Sequence, residues 1–82
     1  MSQRQIRMEE SLKNIAAQFI ARLGLPALIT VTRATLTEEL SEATIFISVF
    51  PEDKEKEMLD TLLHYRSDMK AYVAEHVRQA AQ

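Results

Sequence analysis

Cysteine and tryptophan are absent from the 82 residues, glycine occurs once and proline twice. Without cysteine there is neither a disulfide framework nor a thiolate metal site, which fits a reducing cytoplasm. A single glycine excludes a Gly-rich phosphate loop and any low-complexity reading. No apolar run approaches the roughly 20 residues that cross a bilayer. The opening Met1-Ser2-Gln3-Arg4-Gln5-Ile6-Arg7 has no apolar h-region, so no signal peptide is expected. An excess of basic charge is also missing: the net charge is −2, so any nucleic-acid role must come from where the charges sit. What is present is ordinary for a globular domain, with 46% hydrophobic and 27% charged residues. A chain of this length forms one domain with a modest core, and has little room for a deep, dry catalytic pocket.

The apolar residues then give the order of elements. Met8, Leu12, Ile15, Phe19 and Leu23 recur at helical spacing, with Glu9 and Lys13 as an i,i+4 pair beside them. Gly24 and Pro26 stop that helix, which is expected from about Ser2 to Leu23. The β-branched stretch from Ala27 to Leu36 reads as a strand. Ile29 and Val31 share one phase while Ala34 and Leu36 fall on the other, so a β-bulge is expected near Arg33. Ala43, Ile45, Ile47 and Val49 alternate with Thr44, Phe46, Ser48 and Phe50, a second strand that Pro51 ends. The short polar link at Thr37–Glu39 makes the pair an antiparallel hairpin. Glu52 and Asp53 open a second helical region that continues to about Ala80, with Met58, Leu62, Tyr65, Met69, Val73 and Val77 on one face, widened by Leu59 and Leu63. Ser67 and Asp68 are capping types in its middle, so a break is expected within about two residues of Ser67, with Ser67 as cap. One core of Leu12, Phe19, Ile45, Ile47, Val49, Leu62 and Val73 is expected.

Little in the chain supports catalysis. His64 and His76 are twelve residues apart, about 120° off a common face and about 18 Å along the axis, too far to share a metal. They read as surface or boundary histidines. The mixed run Glu52-Asp53-Lys54-Glu55-Lys56-Glu57 reads as a solvated helix face. No nucleophile elbow or HExxH motif is present. No enzyme activity, no cofactor and no small-molecule substrate are expected.

The basic residues are better organised than the net charge suggests. Arg4, Arg7, Ser11, Asn14, Gln18 and Arg22 form one acid-free stripe on the first helix. Arg66, Lys70, Ala74 and Arg78 form another on the last helical region. Segregation of this kind makes a basic face on an acidic protein, although polar stripes also simply face water. Phe46 and Phe50 lie on the sheet face opposite Ile45, Ile47 and Val49. They are read as packing against a small cluster or edge, with base stacking or a protein partner as alternatives.

From Val31 to Val49 the chain resembles the bacterial ribosome-binding factor A family. That family's pattern is an apolar strand, then Ser/Thr-x-Asp-Leu, then x-x-Ala-x-Val-Tyr/Phe-Val-Ser. Thr37, Leu40, Ala43, Ile45, Phe46, Ile47 and Ser48 fit it without a gap, and Glu39 stands where the family usually has Asp. The Arg-rich opening from Arg4 to Leu12 is similar to the family's first helix. Two departures stand out. Arg66-Ser67-Asp68 replaces the family's Ala-x-Gly at the kink, and the family's third strand, after the last helix, has no counterpart before Gln82. The chain is thus expected to be a fragment or a member lacking one element, with a bare sheet edge.

The resemblance implies an α+β, type II KH-like fold of helix–strand–strand–kinked helix over residues 1–82. It also implies a cytoplasmic factor in maturation of the small ribosomal subunit, binding that subunit's ribosomal RNA, with no membrane partner. A monomer is expected, with edge pairing where the third strand is missing. The residues expected to contact RNA are Arg4, Arg7, Arg22, Arg33, Arg66, Ser67, Lys70 and Arg78. The alternative is a protein-interaction module, homodimeric in one form, that uses the hairpin edge or the Phe46/Phe50 face.

Overall fold

The computed structural model describes residues 3–37, 39 and 42–80, without the side chains of 78–80. The expected starting residue Ser2 and the family-pattern residue Leu40 lie outside the described residues. Helix α1 spans Gln3–Arg22, strand β1 Leu28–Leu36 and strand β2 Ala43–Phe50. A 3-10 turn at Glu52–Lys54 leads into α2, Glu55–His64, and α3 follows at Arg66–Ala80. The architecture is α+β, and among the described residues the sheet is the antiparallel pair β1-β2.

Helix α1 ends where the sequence places its stop. The N–H groups of Leu23 and Gly24 donate to the carbonyls of Ile20 and Ala21, and Gly24 turns the chain with φ of 60°. Only glycine takes that left-handed conformation without steric cost. The bulge is also as expected: Val31 pairs with Ile47 and Arg33 with Phe46, which leaves Thr32 as the extra residue. The extra residue returns Ala34 to the side of Val31, and both are buried.

The packed centre is Ala16, Ile20 and Val31, with Phe19, Ile29, Ile45, Ile47, Leu62 and Met69 against it. Ala16 is fully buried, and its small side chain allows close packing of α1 on the sheet. The buried stripe of α1 therefore shifts to Leu12, Ile15, Ala16 and Ile20, and leaves Met8, Phe19 and Leu23 half-buried. Of the expected core residues, Leu12 and Val49 are buried, but Phe19, Ile45, Ile47, Leu62 and Val73 are only half-buried. A narrow two-stranded sheet in a small domain cannot enclose more. Leu59 and Leu63, expected to widen the core stripe, are 42% and 61% exposed.

The helical break falls at Tyr65, two residues before Ser67. The Tyr65 N–H donates to Leu62, and its carbonyl accepts from Met69. Ser67 is therefore not the cap: it lies inside the first turn of α3, exposed. The break keeps the fold compact. One straight helix from Asp53 to Ala80 would run roughly 42 Å, beyond the molecule's longest dimension of 37 Å.

Side chains of α1 fasten the far end of the hairpin. Gln5 Nε2 donates to the Leu36 carbonyl at 2.9 Å, and the Leu36 N–H donates to Glu9 Oε2 at 2.7 Å. The expected Glu9–Lys13 ion pair does not form, because the carboxylate is turned to the strand. The link beyond is closed by Thr37: its N–H donates to the Glu42 carbonyl, and its hydroxyl accepts from the Glu42 N–H. Glu9→Ala removes a charged acceptor from a part-buried N–H and is expected to cost about 1–3 kcal/mol in urea unfolding, with Glu9→Gln costing less. An unchanged midpoint in Glu9→Ala would show that the clamp contributes nothing.

Candidate nucleic-acid interface

Seven of the eight expected contact residues have described side chains, and all seven are exposed: Arg4, Arg7, Arg22, Arg33, Arg66, Ser67 and Lys70. The side chain of Arg78 lies outside the described residues. Among the described residues the one ion pair is Lys54–Glu57 at 3.7 Å, so Arg4, Arg7, Arg22, Arg33, Arg66 and Lys70 are held in no ion pair. Uncompensated, exposed cations are what phosphate contact requires.

The two acid-free stripes meet in one place. Arg4, Arg7 and Ser11 of α1 face Ala74 of α3 across a groove of about 660 Å³, floored by Leu12, Leu36, Val73 and Val77. Ala74 belongs to the α3 line that also carries Lys70 one turn earlier. Arg22 is not part of this arrangement. Its guanidinium lies 5.3 Å from the centre of the Tyr72 ring, and Tyr72 is about 200° around the α3 axis from Ala74. Arg22 is thus held on the opposite flank of α3. Arg33 is further apart still, on the sheet face away from the helices, with its guanidinium 5.8 Å from the centre of the Phe46 ring.

At the helix break, Arg66 stands at the mouth of a smaller cleft of about 160 Å³ lined by Ile20, Ile45, Ile47, Leu59, Leu62, Leu63 and Met69. Two exposed cations, Arg66 and Lys70, follow the break within the first turns of α3. The seven residues with described side chains therefore divide among four places: Arg4 and Arg7 at the α1/α3 groove, Arg66, Ser67 and Lys70 at the break, Arg22 on the Tyr72 flank, and Arg33 on the outer sheet.

The histidines stand where the sequence puts them, His64 exposed and His76 half-buried. His76 stacks on Tyr72 at 3.9 Å between ring centroids, and its Nδ1 is 2.9 Å from the Tyr72 carbonyl. A carbonyl only accepts, so Nδ1 carries the proton. Phe19 joins the same cluster at 5.4 Å from Tyr72. His64 Nδ1 makes the equivalent contact with the Asp60 carbonyl at 2.8 Å. Among the described residues no group of acids and histidines could hold a metal ion, and no helix is long and apolar enough to cross a membrane.

Phe46 and Phe50 correct the packing expectation. They are 45% and 68% exposed, and Leu28, the cross-strand partner of Phe50, is 67% exposed. Sequence alternation put them on the outer face. What it could not show is that, among the described residues, no helix covers that face.

Neither protein-family models nor curated proteins give a match to the chain. Among solved structures, the crystal structure of ribosome-binding factor A from Thermus thermophilus matches with a TM-score of 0.82 and 28% sequence identity, over 90% of this chain and 82% of that one. The fold is that of ribosome-binding factor A, and the match bears out the resemblance to that family read from the hairpin.

Proposed function

We propose that this protein is a ribosome-binding factor that acts in maturation of the small ribosomal subunit, by binding the subunit's ribosomal RNA rather than by catalysis. The observation that carries the reading is the structural likeness to ribosome-binding factor A across nine-tenths of the chain. The two acid-free stripes support it from independent ground: on a chain of net charge −2 they leave exposed, unpaired cations on helix surfaces. In this KH-like reading Arg66, Ser67 and Lys70 contact phosphates at the helix break. Arg4 and Arg7 do so along the α1/α3 groove, with Arg22 and Arg33 on separate surfaces, and Arg78, which continues the α3 stripe in the sequence, is proposed as a further contact. Phosphate contacts of this kind position the protein, and the shape of folded RNA supplies selectivity. The setting is the cytoplasm, and the reading needs no cofactor.

The test is sedimentation of the purified protein with small ribosomal subunits, precursor and mature, at low salt. Co-sedimentation that falls steeply as salt rises is the expected result, because each phosphate contact releases counterions. Absence from both kinds of particle overturns the reading. Association insensitive to salt favours the alternative of a protein-interaction module on the hairpin edge or the Phe46/Phe50 face.

A further inference from the structure

The helices bury one face of the hairpin and leave the other open. Along β2 the open face presents Phe46, Ser48 and Phe50, and opposite them on β1 stand Arg33, Thr30 and Leu28. Thr35 and Thr44 pair at its far end. Among the described residues this face of the two strands carries no acid, although the chain has 12, and its one charge is Arg33. A solvated sheet face is ordinarily dressed with mixed charges, because exposed aromatic rings gain nothing from water.

We propose that this open face binds unpaired nucleotides, with bases stacked on Phe46 and Phe50. The site goes beyond the helix-face reading above and rests on different residues. Every base has a π-face, so a ring exposed on a rigid strand accepts it without sequence preference. Phe46 and Phe50 are four residues apart, about 13 Å along the strand, so each takes its own base. The Arg33 guanidinium lies over one side of the Phe46 ring, 5.8 Å from its centre, so a base stacks on the ring's other side or displaces the guanidinium, which is then free to meet a phosphate. The hydroxyls of Thr30, Thr44 and Ser48 supply donors and acceptors for phosphate and 2′-hydroxyl groups.

Two features favour unpaired RNA over other occupants. A duplex hides its base faces and offers phosphates, for which this face has one cation only. A protein partner needs a contiguous apolar patch. Here the Thr30–Ser48 pair separates Phe46 from Leu28 and Phe50.

The experiment measures binding of the full chain to an unstructured RNA of about ten nucleotides and to a duplex of the same sequence. The unstructured RNA is expected to bind more tightly. Phe46→Leu and Phe50→Leu keep the apolar area and lose the π-face, and each is expected to weaken that binding about ten-fold, as much as Ala does. Both rings are exposed, so circular dichroism should be unchanged. Tighter binding of the duplex, or Leu variants that bind the unstructured RNA like the parent, overturns the proposal. So does a dimer in sedimentation that Phe46→Ala with Phe50→Ala dissolves, which would make the face a contact between copies. Because Arg66 and Lys70 remain in all these variants, subunit association through the helix faces is scored separately.

Discussion

Met58→Ala is expected to lower the free energy of unfolding by about 2–5 kcal/mol, the range for truncating a fully buried Met. Met58 is 1% exposed and, among the described residues, is the largest side chain enclosed to that degree. It is also the only buried residue of α2. That helix has ten residues, below the roughly 12–15 at which isolated helices become even marginal in water, so packing must hold it. Leu59 and Leu63 cannot substitute, since both are exposed. A domain of this size has a total stability of about 4–12 kcal/mol, so the loss is a large fraction of the whole. Urea unfolding followed by circular dichroism reads it directly. Leu63→Ala serves as the control and should change stability by less than about 0.5 kcal/mol. A loss below about 1 kcal/mol for Met58→Ala would show that α2 is held by other contacts.

Replacing Arg66 and Lys70 together by Ala is expected to weaken RNA binding by about hundred-fold or more at low salt, since each charged contact contributes about 1.5–3 kcal/mol and about 1.4 kcal/mol is ten-fold. The slope of log affinity against log salt should fall by about two, one for each lost phosphate contact. Both side chains are exposed and unpaired, so the unfolding midpoint should stay where it is. The slope is the informative quantity. A variant that lost affinity through a distorted fold would move the midpoint as well. Unchanged affinity and slope in the double variant would remove the helix break from the interface.

The break expected within about two residues of Ser67 falls at Tyr65, while Ser67 itself is not the cap, and the two outcomes show what local sequence resolves. Ser67 and Asp68 have the chemistry of a cap, so a break nearby was legible. Its position depends on where α2 must leave the sheet so that α3 can return along α1, and that is set by distant contacts. Glu9 is a similar case. Its spacing to Lys13 suggests an ion pair, but a part-buried N–H at Leu36 is the stronger claim on a carboxylate, because leaving it unmet costs more than a solvated ion pair gains.

By itself the sequence determined the order of elements, the stop at Gly24, the bulge beside Arg33 and the hairpin, because each follows from spacing and backbone preference within a few neighbouring residues. It also determined the two acid-free stripes and the hairpin pattern shared with ribosome-binding factor A. Only the tertiary structure decided which residues are enclosed and which surfaces the basic residues share. Ala16 became the fully enclosed centre of α1 and Met58 the anchor of α2, while Leu59 and Leu63 stayed exposed. Arg22 and Arg33 were parted from the groove, and Phe46 and Phe50 were left uncovered. The physical reason is that burial and proximity depend on how elements pack across long sequence separations, whereas periodicity reports only which face of its own element a residue occupies.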